Sequence, residues 1–352
     1  APLHALFEQG DLSIVGGIGP LVQPTTRSEM DANAVALPER LLSHNDQQST
    51  WMALGVEGTR LGWGGRFIDS AFQTGAAGDP TFSAISTDSS PVFLFGEAIR
   101  PFRAAGGSPI GLDAAEKTWL LGGNSRYDEV RQRLLAHFSK GTTTSPNIFE
   151  RDFLAGRAGG VLTGYEYRQA RQGAMPVTTV FPEGRLGGQL KTVAETISVR
   201  SMLAANRQIF FVGMGGFDTH NNQAGDLPGL HAELAGGLSA FRDAMVELGA
   251  WNDVTLFTMS DFGRTLNDNG DGTDHGWAGH HFVMGGDVRG QRILGDIAAP
   301  DPDSEAFTSS RARLIPGISV EQYAASLGGW FGLDRGAIED VLPNLANFAG
   351  AD

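Results

Sequence analysis

The chain has 352 residues, 26 Lys and Arg against 40 Asp and Glu for a formal net charge of −14, and no cysteine. Without concentrated positive charge it is not built to hold a phosphate backbone, so nucleic acid is excluded as a partner; without a thiol, disulfides, thiolate metal sites, iron–sulfur ligation and cysteine nucleophiles are excluded too. No run approaches the roughly 18 apolar residues of a membrane span, and 41% hydrophobic with 19% charged residues is the balance of a soluble globular protein.

The chain opens Ala1-Pro2-Leu3, without an initiator Met or a signal sequence, as expected of a processed product or a fragment. Pro2 to Gln9 reads as a short helix closed by Gly10, followed by a strand at Leu12–Val15 that breaks into Gly16-Gly17-Ile18-Gly19-Pro20. Residues 23–90, rich in Gly, Ser, Thr and Asn, read as loops and short helices, with Val92–Phe95 as a short strand. Val130, Leu134, Leu135 and Phe138 fall at helical intervals and predict a helix over 127–140. Further helices are expected at 148–171 and at Gly188–Asn206, where Leu190, Val193, Ile197 and Met202 share a face.

Gln208–Met214 and Val254–Met259 are short apolar runs of the kind buried on both faces. Between them, Leu230–Leu248 carries a helical stripe. Strand, helix and strand in this order predict a right-handed crossover and two parallel strands, whose carboxyl ends share one rim, where open α/β sheets bind ligands. His280–Met284 leads into another strand, Val320–Phe331 is a helix ending at Gly332, and Arg335–Leu345 is a helix interrupted by Pro343. The expected fold is a single α/β domain over 1–352, with a mixed, mostly parallel sheet flanked by helices and loop-rich decoration at about 23–126.

The two apolar runs end in Gly215-Gly216-Phe217-Asp218-Thr219-His220 and Ser260-Asp261-Phe262-Gly263-Arg264-Thr265. In extended backbone Asp218 and His220 face the same way. Carboxylate with imidazole suits zinc, manganese or iron(II) better than calcium; an Asp that orients a His, or an Asx turn, would use the same residues. Asp261 follows a buried strand, where a lone carboxylate is costly. A metal would compensate it, or an ion pair with Arg264, whose planar fork also fits phosphate or sulfate.

Asn267–Gly272 partly imitates a calcium loop but has Ala278 where the EF-hand needs Glu, so calcium is the lesser expectation. His275 follows close behind. His280 and His281 point to opposite faces of a strand, so one is expected to join the site, with His280 counted among the metal ligands and His281 free to pack near His44. His44-Asn45-Asp46-Gln47-Gln48 offers a ligand or a substrate contact; a helix start capped by Ser43, Asn45 or Asp46 fits equally. Gly62-Trp63-Gly64-Gly65-Arg66 reads as a tight turn bringing Arg66 to a surface. No Walker A loop, G-x-S-x-G elbow, H-E-x-x-H or Rossmann fingerprint occurs in the right context.

Thr26-Arg27-Ser28, Ser43–Gln48, Gly62–Arg66, Gly215–His220, Ser260–Thr265 and Thr273–Gly276, in this order, resemble the bacterial domain-of-unknown-function family 1501, which is grouped with the alkaline phosphatase and sulfatase superfamily. The resemblance implies an alkaline phosphatase/sulfatase-like fold and twin-arginine export to the periplasm or outer surface. It also implies two metal ions, zinc or manganese, at the carboxyl rim, acting on a phosphate or sulfate ester of a small molecule or polymer. Asp218, His220 and His275 then look like ligands of one metal and Asp261 of the other, with Arg264 and His44 at the reacting group. Two departures stand out. Phe262 follows Asp261 where the superfamily often has His, and the family's initial strand with its Gly-Gly-Asn-Asp loop is missing, so no nucleophile is assigned. An N-terminal polypeptide is expected to complete the site; the competing reading is an exported binding or assembly protein that keeps the fold without turnover.

Overall fold

The computed structural model describes residues 2–76, 78–89, 91–104, 147–348 and a few positions between 129 and 136; the helix expected at 127–140 lies largely outside the described residues. In chain order the helices are α1 (Pro2–Glu8), α2 (Arg27–Asp31), α3 (His44–Ala53), α4 (Trp63–Gln73), α5 (Ile148–Gln172), α6 (Arg185–Ile197), α7 (Gln223–Glu247), α8 (Val320–Phe331) and α9 (Arg335–Val341). The strands are β1 (Leu12–Gly19), β2 (Ala84–Ser86), β3 (Phe102–Arg103), β4 (Ile209–Phe211), β5 (Thr255–Phe257), β6 (Arg264–Asp268), β7 (Thr273–His275), β8 (Gly279–Gly285), β9 (Ile293–Leu294) and β10 (Ile318–Ser319).

These strands form one sheet in the order β10-β1-β8-β5 with β9 also on β1, a second in the order β3-β2-β4, and the hairpin β6-β7. The fold is α/β with mixed sheets flanked by helices. "Mostly parallel" is too strong, because β1 and β5 both run antiparallel to β8, while β1 is parallel to β9 and β10 and β2 is parallel to β3 and β4. The reason lies in β8, which returns from the β6-β7 hairpin without a helical crossover and so enters the sheet reversed.

Alternation along the strands builds two helical layers. Ile209, Phe211, Phe257 and Met259 join Trp51, Trp63, Phe67, Phe93, Leu327 and Phe331 on one side. Phe210, Val212, Leu256 and Met284 join Leu186, Leu190, Leu238 and Phe241 on the other. Although β4 and β5 feed the same two layers, they are not paired. β4 bonds to β2 and β5 to β8.

Two local expectations are also revised. Val92–Leu94 is a 3-10 turn rather than a strand. Gly62–Arg66 begins α4 rather than turning at a surface: a side chain at Gly65 would meet the backbone of Phe95 at 2.3 Å, so glycine there lets the helix lie on that segment. Arg66 donates to the carbonyls of Asp340 (2.6 Å) and Val341 (2.8 Å), which would otherwise be unpaired at the end of α9. In β1 the register against β8 shifts between Val15 and Ile18, where Gly17 takes a φ of 63° that side chains disfavour.

Candidate metal centre

The carboxyl ends of β4 and β5 meet at one rim. Asp218 and His220 lie in the loop after β4, and Asp261 follows β5. Arg264 begins β6 and pairs in register with His275 of β7, so the hairpin presents guanidinium and imidazole side by side. His44 is the first residue of α3, after an N-cap Ser43 whose side chain makes no cap bond. His44 spans the two strand ends: Nε2 is 3.2 Å from Asp218 Oδ2 and Nδ1 is 3.2 Å from Asp261 Oδ2.

The second half of the cluster surrounds Asp218 Oδ1. His220 Nε2 lies 3.0 Å from it, His275 Nε2 3.3 Å, and the two nitrogens are 3.0 Å apart. His275 Nδ1 is 3.0 Å from the Leu42 carbonyl. A carbonyl only accepts, so Nδ1 carries the proton and Nε2 of the neutral ring has a bare lone pair. On the far side of His220, Nδ1 faces Asp274 Oδ1 at 3.6 Å. Two imidazole nitrogens and a carboxylate oxygen then converge, the donor set that zinc and its neighbours accept. His44, Asp218 and His275 likewise offer ligand atoms all within 4.8 Å of one another.

The supports around the cluster are specific. Phe262 stacks on His275 at 4.0 Å and tilts against His44 at 4.7 Å, so the residue standing where an imidazole was expected orients two imidazoles. Gln48 Nε2 donates to Asp261 Oδ2 (2.8 Å) and Gln47 Nε2 to the Asp261 carbonyl (2.7 Å). Arg264 bonds Asp218 and Thr273; its ion pair is with Asp218, across the rim, and not with Asp261. For Asp218, partial burial pushes the carboxyl pKa upward. The Arg264 hydrogen bond and charge, with the His220 and His275 rings beside the same oxygen, outweigh this and hold the carboxyl below its usual range. Asp274 is lowered by the Asn269 amide, against some burial, and then by Arg311 at 2.9 Å.

Asp218, His220, Asp261, His275, His44 and Arg264 are thus brought together. His280 stands apart, its Nδ1 accepting the Gly17 N–H at 3.1 Å. His281 is buried beside Trp51 at 5.0 Å. In the loop 267–272, Asp268 and Asn269 accept backbone N–H groups of Gly270, Asp271 and Gly272, while the Asn269 amide donates to the His220 carbonyl; the loop buttresses His220. The Leu42 carbonyl, Phe262 and Asp274 are the contributors that sequence reasoning did not assign. Only Asp274, adjacent to His275, carried a signal by residue type.

Fold and rim together define an α/β protein with a His/Asp cluster on loops at the carboxyl ends of two strands, the customary ligand edge of such sheets. The family model for a protein of unknown function (DUF1501) matches residues 17–342, and the chain belongs to that family. Neither a curated protein nor a solved structure matches it.

Proposed function

We propose that the protein is an exported, metal-dependent hydrolase of phosphate or sulfate esters, belonging with the alkaline phosphatase and sulfatase-like proteins. The observation that carries this reading is the convergence of His220 Nε2, His275 Nε2 and Asp218 Oδ1 within 3.0–3.3 Å of one another. Asp218, His220 and His275 would hold one divalent ion, zinc or manganese. Asp261, backed by Gln48 and reached by His44, would hold the second. A bound ion supplies Lewis acidity toward an ester oxygen and lowers the pKa of water. The chain's own part is to set the ligands in place, to keep two imidazoles oriented through Phe262, and to hold Arg264 beside the rim, where its charge favours an anionic ester.

The competing reading is a binding protein of the same fold without turnover. It is favoured by the state of the nearby hydroxyls: Ser260 Oγ donates to the Phe262 carbonyl, Thr273 Oγ1 accepts from Gln223 and Arg264, and Thr219 is buried. None is poised as a nucleophile. Elemental analysis of the purified protein together with hydrolysis of p-nitrophenyl phosphate and sulfate separates the cases. Stoichiometric zinc or manganese with turnover, both lost in Asp218→Ala, supports the hydrolase. Metal without turnover supports the binding protein, and a protein that takes up neither ion removes both metal readings. Recovery from the periplasmic or surface fraction tests export.

A further inference from the structure

Behind the two imidazoles of the cluster lies a turn with a strained backbone. Residues 306–315 fold back on themselves, with Phe307 bridged to Leu314 and Thr308 donating to the Arg313 carbonyl (2.9 Å). At the end of this turn Arg311 and Ala312 take φ angles of 66° and 46°, the left-handed region that side chains other than Asn and Asp disfavour. The turn is docked on the hairpin that carries His275. Leu266 of β6 donates to the Ala312 carbonyl (3.0 Å), and Ala278, just before β8, to the Leu314 carbonyl (3.0 Å).

From this turn two guanidinium groups reach β7. Arg313 Nε donates to the His275 carbonyl (3.0 Å). Arg311 Nη1 lies 2.9 Å from Asp274 Oδ2. That leaves Asp274 Oδ1 to accept from the Asn269 amide (3.3 Å) and to stand 3.6 Å from His220 Nδ1. Each imidazole therefore has one arginine behind it. Stability does not account for the arrangement. The two cations crowd each other: after burial, the charge of Arg311 is what depresses the Arg313 guanidinium. The Arg311 side chain is 56% exposed, and ion pairs so exposed add little stability, less than a left-handed backbone costs at an ordinary side chain. Backbone outliers that persist against such a cost cluster at functional sites.

We infer that Arg311 is a positioning residue: from a strained turn it fixes the Asp274 carboxylate behind His220, so that this ring keeps one orientation at the rim. Arg313, on the same turn, fixes His275 through its main chain. With one oxygen tied to Arg311 and the other to Asn269, the carboxylate cannot rotate away from Nδ1. Without Arg311 it keeps a single long bond to Asn269, and His220 is held only at its Nε2 end, by Asp218 and His275. The order of the ring needs no metal; only the effect on a bound ion rests on the metal reading proposed above. The direction of that effect is diagnostic. Removing a nearby cation strengthens the binding of a divalent ion by charge alone, so weaker binding marks lost orientation.

Arg311→Gly separates position from stability, because glycine accepts the left-handed backbone without cost to its side chain. Its Tm should stay level or rise, whereas a residue kept for stability would give a lower one. In the metal-free protein, NMR relaxation of the ring carbons should show His220 leaving the rigid range, about 0.85 in order parameter, for the flexible one below about 0.6, with His275 unchanged. Zinc affinity, measured by chelator competition, should fall roughly three- to tenfold, no further than the loss of the outer partner Asp274 itself. Arg311→Lys, which keeps a charged donor for Asp274, should restore both ring order and affinity. In an Asp274→Asn background Arg311→Gly should add nothing, as for two residues acting through one contact. A native protein that takes up no zinc yet shows the change in ring order removes the metal reading and sustains this one. An unchanged His220 ring, equal loosening of both rings, a lower Tm, tighter zinc binding or additive losses would overturn the proposal.

Discussion

Asp218 touches every other charged or imidazole group of the cluster except Asp261 and Asp274. Its Oδ1 faces His220, His275 and Arg264, and its Oδ2 faces His44. Asp218→Asn keeps the shape but removes the charge. Loss of an outer partner of a metal-bound imidazole typically costs 10–100-fold in affinity. Asp274 holds that outer place, 3.6 Å behind His220, so Asp274→Asn should weaken zinc or manganese binding by about tenfold. A direct ligand should exceed the outer range, roughly a thousandfold for Asp218→Asn, or ~4 kcal/mol at 1.4 kcal/mol per factor of ten. Chelator competition at fixed pH measures both variants. Equal losses in the two would refute the assignment of inner and outer roles, as would an Asp218→Asn protein within threefold of the native affinity.

The remaining predictions concern the frame and its response to acid. Asp69, at the buried face of α4, accepts the backbone N–H groups of Glu97, Ala98 and Ile99 (2.5–3.1 Å). Asp69→Ala strands three donors at ~1–3 kcal/mol each when water cannot replace the carboxylate. A loss of ~4 kcal/mol, roughly 5 °C in Tm for a chain of this length, is expected in thermal unfolding, with a smaller loss for Asp69→Asn. Glu247 takes both amides and both hydroxyls of Thr178 and Thr179; these bonds, the Thr179 hydroxyl foremost, depress its carboxyl to about 2 from 4.5. Its contribution is present above pH 4.5 and is lost as pH falls toward 2, so Tm should drop more steeply over that window in the native protein than in Glu247→Gln. His281 is held neutral by burial and then by the charge of His280, its pKa falling to about 4 from 6.5. Stability from this ring is intact above pH 6.5 and declines between 6.5 and 4; an NMR titration should show the ring neutral at pH 5, and protonation above pH 6 would contradict the burial argument.

Elements with their own periodicity and stop signals were legible from residues. The span Val320–Phe331 with Gly332 after it is read correctly to the residue, since Ser319 and Gln322 form a capping box and Gly332 adopts the left-handed cap. The placing of Asp218, His220 and Asp261 on one rim followed from the order of two apolar runs around a helix. What those runs could not disclose was their neighbours. A short apolar strand states that both faces are covered and says nothing of which strand lies on each edge, so β4 joined β2, itself three residues inside a Gly- and Ser-rich stretch. Phe262 stands in the sequence only as a departure from the superfamily pattern, because residue type alone identifies ligands and not the rings that orient them. His280 was misdirected by the bulge in β1, whose Gly17 N–H takes up its Nδ1.

β1 holds three neighbours at once, β8 on one edge and β9 and β10 in succession on the other. Residues 12–19 therefore wait for residues 279–319 before their backbone is satisfied. Contacts so distant along the chain slow folding. At a synthesis rate of about 5–20 residues per second, the first strand spends roughly 15–60 s as an unpaired apolar segment before its partners exist. During that interval aggregation competes with folding, and a holdase that covers the Leu12–Gly19 segment should raise the yield of folded protein more than one acting after the chain is complete.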